Sequence, residues 1–139
     1  MAMPVSPKTV ALTVTRQLKA APDRVYRAFT DPVDVKRWFQ PIRLIMDVKV
    51  DGLWNSDQEF EGKRWPHYGR FLKLERPRLV EETWMSEATH GLESVVRVEI
   101  AAKDGGSEVK LTHSGLPEDQ AGDHREGWTQ ILQSLDDLR

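Results

Sequence analysis

Cysteine is absent from the 139 residues, which excludes disulfides, thiolate nucleophiles and cysteine-rich metal sites and suits a reducing compartment. No apolar run approaches the roughly 20 residues that a membrane-spanning helix needs. Met1 to Lys8 hold neither a basic segment nor an apolar core, so no secretory signal is predicted and the expected location is cytoplasmic, without membrane insertion. Charge of one sign is missing as well. Lys and Arg number 20 against 22 Asp and Glu, and a net charge of −2 with a pI near 6.1 gives no electrostatic reason to expect nucleic acid as a partner. The chain also lacks a glycine-rich phosphate loop, a Gly-x-Ser-x-Gly elbow and a His-Glu-x-x-His pair. These absences predict no catalytic set, no cofactor and no metal, and they leave binding as the leading class of function. Internal repeats and low-complexity segments are absent too.

What remains is an ordinary composition, 39% hydrophobic and 30% charged, which predicts one domain over residues 9–139 after a flexible segment 1–8. Thr9 to Leu18 alternates Val10, Leu12, Val14 and Leu18 against polar neighbours, the period of a half-buried strand. Two short helices follow. Pro22 opens the first, with Val25, Ala28 and Phe29 as its buried stripe; Asp31 caps the second, with Pro32 in its first turn and Val35, Trp38 and Phe39 on its apolar side, and Pro41 ends it. From there turn signals at Asp51-Gly52, Glu61-Gly62-Lys63, Arg76-Pro77-Arg78 and Asp104-Gly105-Gly106 divide the chain into hairpins. The expected strands are Arg43 to Val50, Leu53 to Phe60, His67 to Glu75, Leu79 to Ser86, Leu92 to Ala102 and Glu108 to Ser114. Strand parity puts Trp54, Ser56, Gln58 and Phe60 on one face, Val80, Glu82 and Trp84 on another, and Val109, Leu111 and His113 on a third.

The last stretch, Asp123 to Arg139, reads as an amphipathic helix with His124, Trp128, Ile131, Leu132, Leu135 and Leu138 on one face. Asp123 with Glu126 predicts a capping-box-like start, after a preliminary turn over Pro117 to Ala121. Gly127 lies inside this helix beside Trp128, where glycine costs about 1 kcal/mol relative to alanine. Close backbone packing explains it; so does space left for a ligand. A curved seven-stranded antiparallel sheet wrapped around one long C-terminal helix is the α+β architecture that this order implies.

The order of elements, together with Ala21-Pro22-Asp23-Arg24-Val25-Tyr26-Arg27-Ala28-Phe29-Thr30-Asp31-Pro32, Trp38, Thr83-Trp84, Leu111-Thr112-His113-Ser114-Gly115-Leu116-Pro117 and Gly127-Trp128, resembles the START-like (SRPBCC) helix-grip superfamily. Within it the chain is similar to the branch named after the C-terminal domain of the heat-shock-protein-90 ATPase activator. The turn before Leu53-Trp54 departs from that branch, with Asp51-Gly52 in place of paired glycines. The resemblance implies a cavity between sheet and long helix of the kind used for lipids and other small hydrophobic molecules. It also leaves open a stress-related, co-chaperone-like role with a chaperone as partner, and a cyclase- or hydrolase-type enzyme.

Candidate ligand-binding residues follow from parity, aromatic character and this cavity: Trp38, Trp54, Ser56, Gln58, Phe60, Trp65, Glu82, Trp84, His113, His124, Gly127, Trp128 and Ile131. Five tryptophans offer flat apolar faces, and core filling accounts for any one of them equally well. Trp65 is placed in a flexible loop from Glu61 to His67, either as a lid over the cavity or as a solvated hairpin tip. His113 and His124 can approach one another, and His113 or Glu82 in an apolar cavity would have shifted pKa values suited to acid–base work. The expected assembly is a monomer or a homodimer.

Overall fold

Residues 8–139 are described by a computed structural model, in which seven strands form one sheet with every pairing antiparallel. The strands are β1 (Thr9–Leu18), β2 (Arg43–Met46), β3 (Leu53–Phe60), β4 (Lys63–Glu75), β5 (Leu79–Ser86), β6 (Ser94–Lys103) and β7 (Gly106–Pro117), and the helices are α1 (Pro22–Thr30), α2 (Pro32–Phe39) and α3 (Ala121–Ser134). The order across the sheet is β1-β7-β6-β5-β4-β3-β2. From β2 to β7 each strand pairs with its sequence neighbour, and β1 joins the far edge beside β7. This is the α+β helix-grip architecture that the sequence implied.

Parity sets the inner face. Trp54 stands opposite Gly69 and Ser56 opposite His67, while Glu82 pairs with Phe71 and Val96, and Val96 with His113. Phe71, Val80, Val98, Ile100, Val109 and Leu111 complete the buried surface of the sheet. Against it lie Val25 and Ala28 of α1 and Trp128, Leu132 and Leu135 of the C-terminal segment, and full burial is worth about 1.5–3 kcal/mol for each large apolar side chain. The helix is tied along β1 by polar contacts. Arg16 donates from Nε and Nη2 to both carboxylate oxygens of Asp136 at 2.7 and 2.5 Å, and Arg125 Nη1 donates to the Thr13 carbonyl at 3.1 Å.

Several expected boundaries move, each for a local reason. The loop assigned to Glu61–His67 is instead a tight hairpin: Glu61 (φ 52°) and Gly62 (φ 76°) both occupy the left-handed region, the requirement of a two-residue turn, and β4 begins at Lys63. The strand expected to reach Val50 stops at Met46, because the backbone turns through Lys49 N–H to Asp47 O and Gly52 N–H to Lys49 O. Gly52 is obligatory there, since a Cβ would lie 1.9 Å from the Asp47 carbonyl oxygen. The strand expected from Leu92 starts at Ser94, after a 3-10 turn at Glu87–Thr89 capped reciprocally by Ser86 and Thr89.

Asp123 does not cap the C-terminal helix. That helix begins at Ala121 with Gln120 at its N-cap and no side-chain cap, and Asp123 sits in the first turn, where its charge favours the helix N-terminus. The preliminary turn is present as a 3-10 turn at Glu118–Gln120, and the helix closes at Ser134 rather than Leu138 as the Leu135 and Leu138 amides shift to tighter bonds. Of the segment 1–8 expected to be flexible, residues 1–7 lie outside the described residues, and the Lys8 carbonyl accepts from the Glu118 amide at 3.2 Å. Among the described residues no helix is long and apolar enough to cross a membrane.

Candidate functional site

Two chambers open between the inner face of the sheet and the helices. The outer recess, about 490 Å³, lies at the end where α3 begins and is walled by Trp65 and His67 of β4, Trp84 of β5, Phe39 of α2, and His124, Gly127, Trp128 and Ile131 of α3. Its rim carries Glu87, Ala88 and His90 on one side and Gln120 and Asp123 on the other. The inner chamber is smaller, about 40 Å³, and holds Trp38, Trp54, Ser56 and Glu82 among apolar walls from α1, α2 and β2. Phe39, Trp84 and Trp128 belong to both.

The aromatic residues form a connected cluster. Trp84 is its centre, with ring centroids 5.2 Å from Trp54, 4.9 Å from Trp128, 5.1 Å from His67 and 6.2 Å from Phe39. Trp38 packs edge-on to Phe29 at 5.5 Å, and its Nε1–H donates to the Ala28 carbonyl at 2.5 Å, fixing α2 to α1. Trp54 lies against Gly69, where a Cβ would meet the Thr83 carbonyl oxygen at 2.0 Å and the Trp54 indole nitrogen at 2.5 Å. Glycine at 69 is what lets the indole lie on the sheet. In the outer recess, Gly127 faces open space, with nothing within 4 Å of where its Cβ would stand.

The histidines divide by role. His113 is 0% exposed and lies behind the chambers rather than on their walls. The Trp128 Nε1–H donates to its Nδ1 at 2.9 Å, so the ring proton belongs on Nε2, which donates to Ser94 Oγ at 2.7 Å; that hydroxyl in turn donates to the Trp84 carbonyl at 2.5 Å. Burial first, and His124 second, lower its pKa from 6.5 to about 3. With both ring nitrogens engaged, His113 is a strut between β6, β7 and α3, and this corrects its expected place on the cavity wall. His67 and His124 are different. Each points Nδ1 at a backbone carbonyl, Trp65 O at 3.0 Å and Gln120 O at 2.8 Å, so in each ring Nδ1 carries a proton and donates it to the backbone. Burial is the main cause that holds the His67 pKa below its ordinary value. Among the described residues no group of three or more His, Asp or Glu side chains is placed to hold a metal ion.

Glu82 is half-buried by area, yet it stands among the walls of the inner chamber, and burial alone raises its carboxyl from 4.5 to about 8. Near neutral pH it is therefore largely protonated. Trp54 Nε1, Ser56 Oγ and Trp84 Nε1 are buried without a hydrogen-bond partner among the described residues, and so is Gln58 Nε2. Of the remaining candidates, Gln58 lies on the inner face opposite Trp65 but lines neither chamber. Phe60 is 65% exposed at the end of β3, beyond both chambers, because the hairpin carries it past the helix. Trp65 walls the recess from within β4 instead of from a mobile loop, with Lys63 Nζ 4.1 Å from its ring.

Phe39 and His67 line the recess but are not among the residues that the sequence singles out as candidates. The sequence places Phe39 on the apolar side of the second helix and His67 at the junction of the expected loop and the strand His67 to Glu75. Reading Glu61-Gly62 as a two-residue turn would have set Trp65 opposite Gln58 and His67 opposite Ser56, and so found both wall positions. At the rim, His90 Nε2 meets the carboxylate of Asp119 at 2.9 and 3.1 Å, joining the two 3-10 turns and lowering the Asp119 pKa.

Residues 19–138 match the family described as "Activator of Hsp90 ATPase homolog 1-like protein". Among solved structures the chain is similar to CalU16 from Micromonospora echinospora, at 25% identity and TM-score 0.73 over 90% of this chain and 73% of that one. It is similar to an Hsp90 activator from Plasmodium falciparum, at 25% identity and TM-score 0.75 over 88% and 91% of the two chains. A protein from Rhizobium loti shares the fold at 21% identity, TM-score 0.80, over 95% and 98%. No curated protein sequence matches the chain.

Proposed function

The chain belongs to the activator of Hsp90 ATPase homolog 1-like family, and from that premise we propose that it binds a small, flat, mostly apolar molecule in the outer recess. The observation that carries this reading is the space at Gly127. A recess of about 490 Å³ ends on a helix position without a side chain, beside Trp128 and Trp84, where alanine would have served the helix better. Pockets of this size, mainly aromatic with a few polar groups, are the usual form of small-molecule sites. His67 and His124 supply polar groups on the wall, and Trp65 and Ile131 extend its apolar area. An apolar naphthalene-type fluorophore is expected to bind with a Kd of about 1 µM or tighter, roughly −8 kcal/mol, and to quench tryptophan emission. Gly127→Leu fills the recess and should abolish binding while the protein stays folded. Unchanged binding in a folded variant, or no binding to wild type, defeats the reading.

One observation favours a second reading, a protein-docking role of the co-chaperone kind. On the outer face of the sheet Ile45 and Tyr68 flank Asn55 from either side, with Leu53 two residues along, and all three are exposed next to the edge strand β2. If this surface engages a chaperone, Leu53→Ser and Tyr68→Ser should remove stimulation of Hsp90 ATPase activity, whereas Gly127→Leu should spare it. No stimulation by the wild-type chain sinks this second reading.

A further inference from the structure

We propose that the inner chamber is a subsite for a neutral hydrogen-bond acceptor, the carbonyl of a ketone, ester or amide carried on an otherwise apolar ligand, received by the Trp84 indole N–H group and the Ser56 hydroxyl. This rests on the reading that the outer recess is occupied, and it adds the chemical class of the ligand's head. Trp54, Ser56 and Trp84 line the chamber, are 6%, 2% and 7% exposed, and keep Nε1, Oγ and Nε1 without partners among the described residues. The Trp54 nitrogen lies against Gly69, but buried polar groups are ordinarily paired, so the unpaired Ser56 Oγ and Trp84 Nε1 of two residues that line one space point to something that occupies it.

Their chemistry selects the occupant. An indole nitrogen only donates, and a hydroxyl does either, so the set is built to meet an acceptor. Charge selects further. A carboxylate head would lose its water shell among apolar walls that offer it no cation, whereas a neutral carbonyl loses little. Near neutral pH Glu82 is mostly in its acid form, so it can donate as well. Size agrees. A volume of about 40 Å³ holds little more than one water, whose share of the liquid is about 30 Å³, and thus suits a carbonyl oxygen and its carbon. The two chambers adjoin, because Phe39, Trp84 and Trp128 line both.

The test compares acetylnaphthalene with isopropenylnaphthalene, which replaces the carbonyl by a carbon–carbon double bond of the same shape, and with naphthoate. Wild type is expected to bind the ketone about tenfold tighter than the hydrocarbon, the worth of one to two buried hydrogen bonds. Naphthoate should bind more weakly than the ketone. In Ser56→Ala and Trp84→Phe the preference should shrink to about threefold or less as donors are lost. The carbonyl stretch of bound acetylnaphthalene should sit below its position in hexane and return toward it in each variant. Equal wild-type affinity for ketone and hydrocarbon, or an unshifted carbonyl stretch, overturns the subsite while leaving occupancy of the recess intact. Tighter binding of naphthoate overturns the neutral head. Failure of all three molecules to bind overturns occupancy itself and the subsite with it. The wild-type comparison needs no variant to fold.

Discussion

The Trp128 indole donates to His113 Nδ1 across 2.9 Å, and through that one bond a helix residue decides which nitrogen of a sheet residue carries the proton. The histidine with the most catalytic-looking position in the sequence is thereby committed to structure. Removing the donor leaves a buried acceptor unpaired. Trp128→Phe should cost about 1–3 kcal/mol from that term alone, read by urea unfolding. Nitrogen NMR of wild type should show His113 neutral with its proton on Nε2 at pH 5, since its pKa lies at about 3. A titration of His113 near pH 6.5 would contradict the hydrogen-bond chain.

Stability should have two pH limbs of opposite sign. The unfolded chain protonates its histidines near 6.5, while folded His113 resists until about 3, so stability falls as pH drops from 6.5 toward 3, by about 1.4 kcal/mol per unit for one such group. Glu82 works the other way. Its folded pKa of about 8 stands above the ordinary 4.5, so the folded state keeps a proton that the unfolded chain has lost, and stability falls as pH rises from 4.5 toward 8. The two slopes oppose each other between 4.5 and 6.5 and place the maximum there. Melting midpoints measured from pH 6.5 to 8 should decline in wild type and stay level in Glu82→Gln.

Leu135 is buried just past the end of α3, and Gln133 is exposed. Leu135→Ala should cost about 2–5 kcal/mol, and Gln133→Ala should stay within about 0.5 kcal/mol. Equal shifts in urea midpoint would mean that the helix presents a different face to the sheet.

Two glycine-to-alanine changes should move stability in opposite directions. At Gly69 the new Cβ would lie 2.0 Å from the Thr83 carbonyl oxygen, which the sheet holds in place, so the variant should lose about 3 kcal/mol or more through forced shifts. At Gly127 nothing obstructs it, and the helix should gain about 1 kcal/mol. Thermal midpoints of the two purified variants decide this directly.

Strand parity read from the sequence put Trp54 with Ser56 and Glu82 with Trp84, because a period of two follows from pleating alone, and strand pairing brings the two sets to one chamber. It could not tell His113 from a wall residue. Position on a face does not say what stands in front of it, and the indole that engages His113 comes from α3. Phe60 had the right parity and the wrong depth, since how far a hairpin projects beyond its covering helix depends on tertiary packing. The Asp123 cap failed for a nearer reason. The preceding 3-10 turn runs into the helix and starts it two residues early, before a side-chain cap is in place.

The contact of His90 Nε2 with the Asp119 carboxylate spans the rim between the turn after β5 and the turn before α3. An exposed contact of this kind is worth only about 0–1 kcal/mol, too little to matter for folding. As a hasp across the doorway it acts on traffic instead. In His90→Ala an uncharged guest should enter and leave up to several-fold faster than in wild type, with its equilibrium affinity almost unmoved. Exchange kinetics, rather than tightness of binding, would then be where this one contact of the rim makes itself felt.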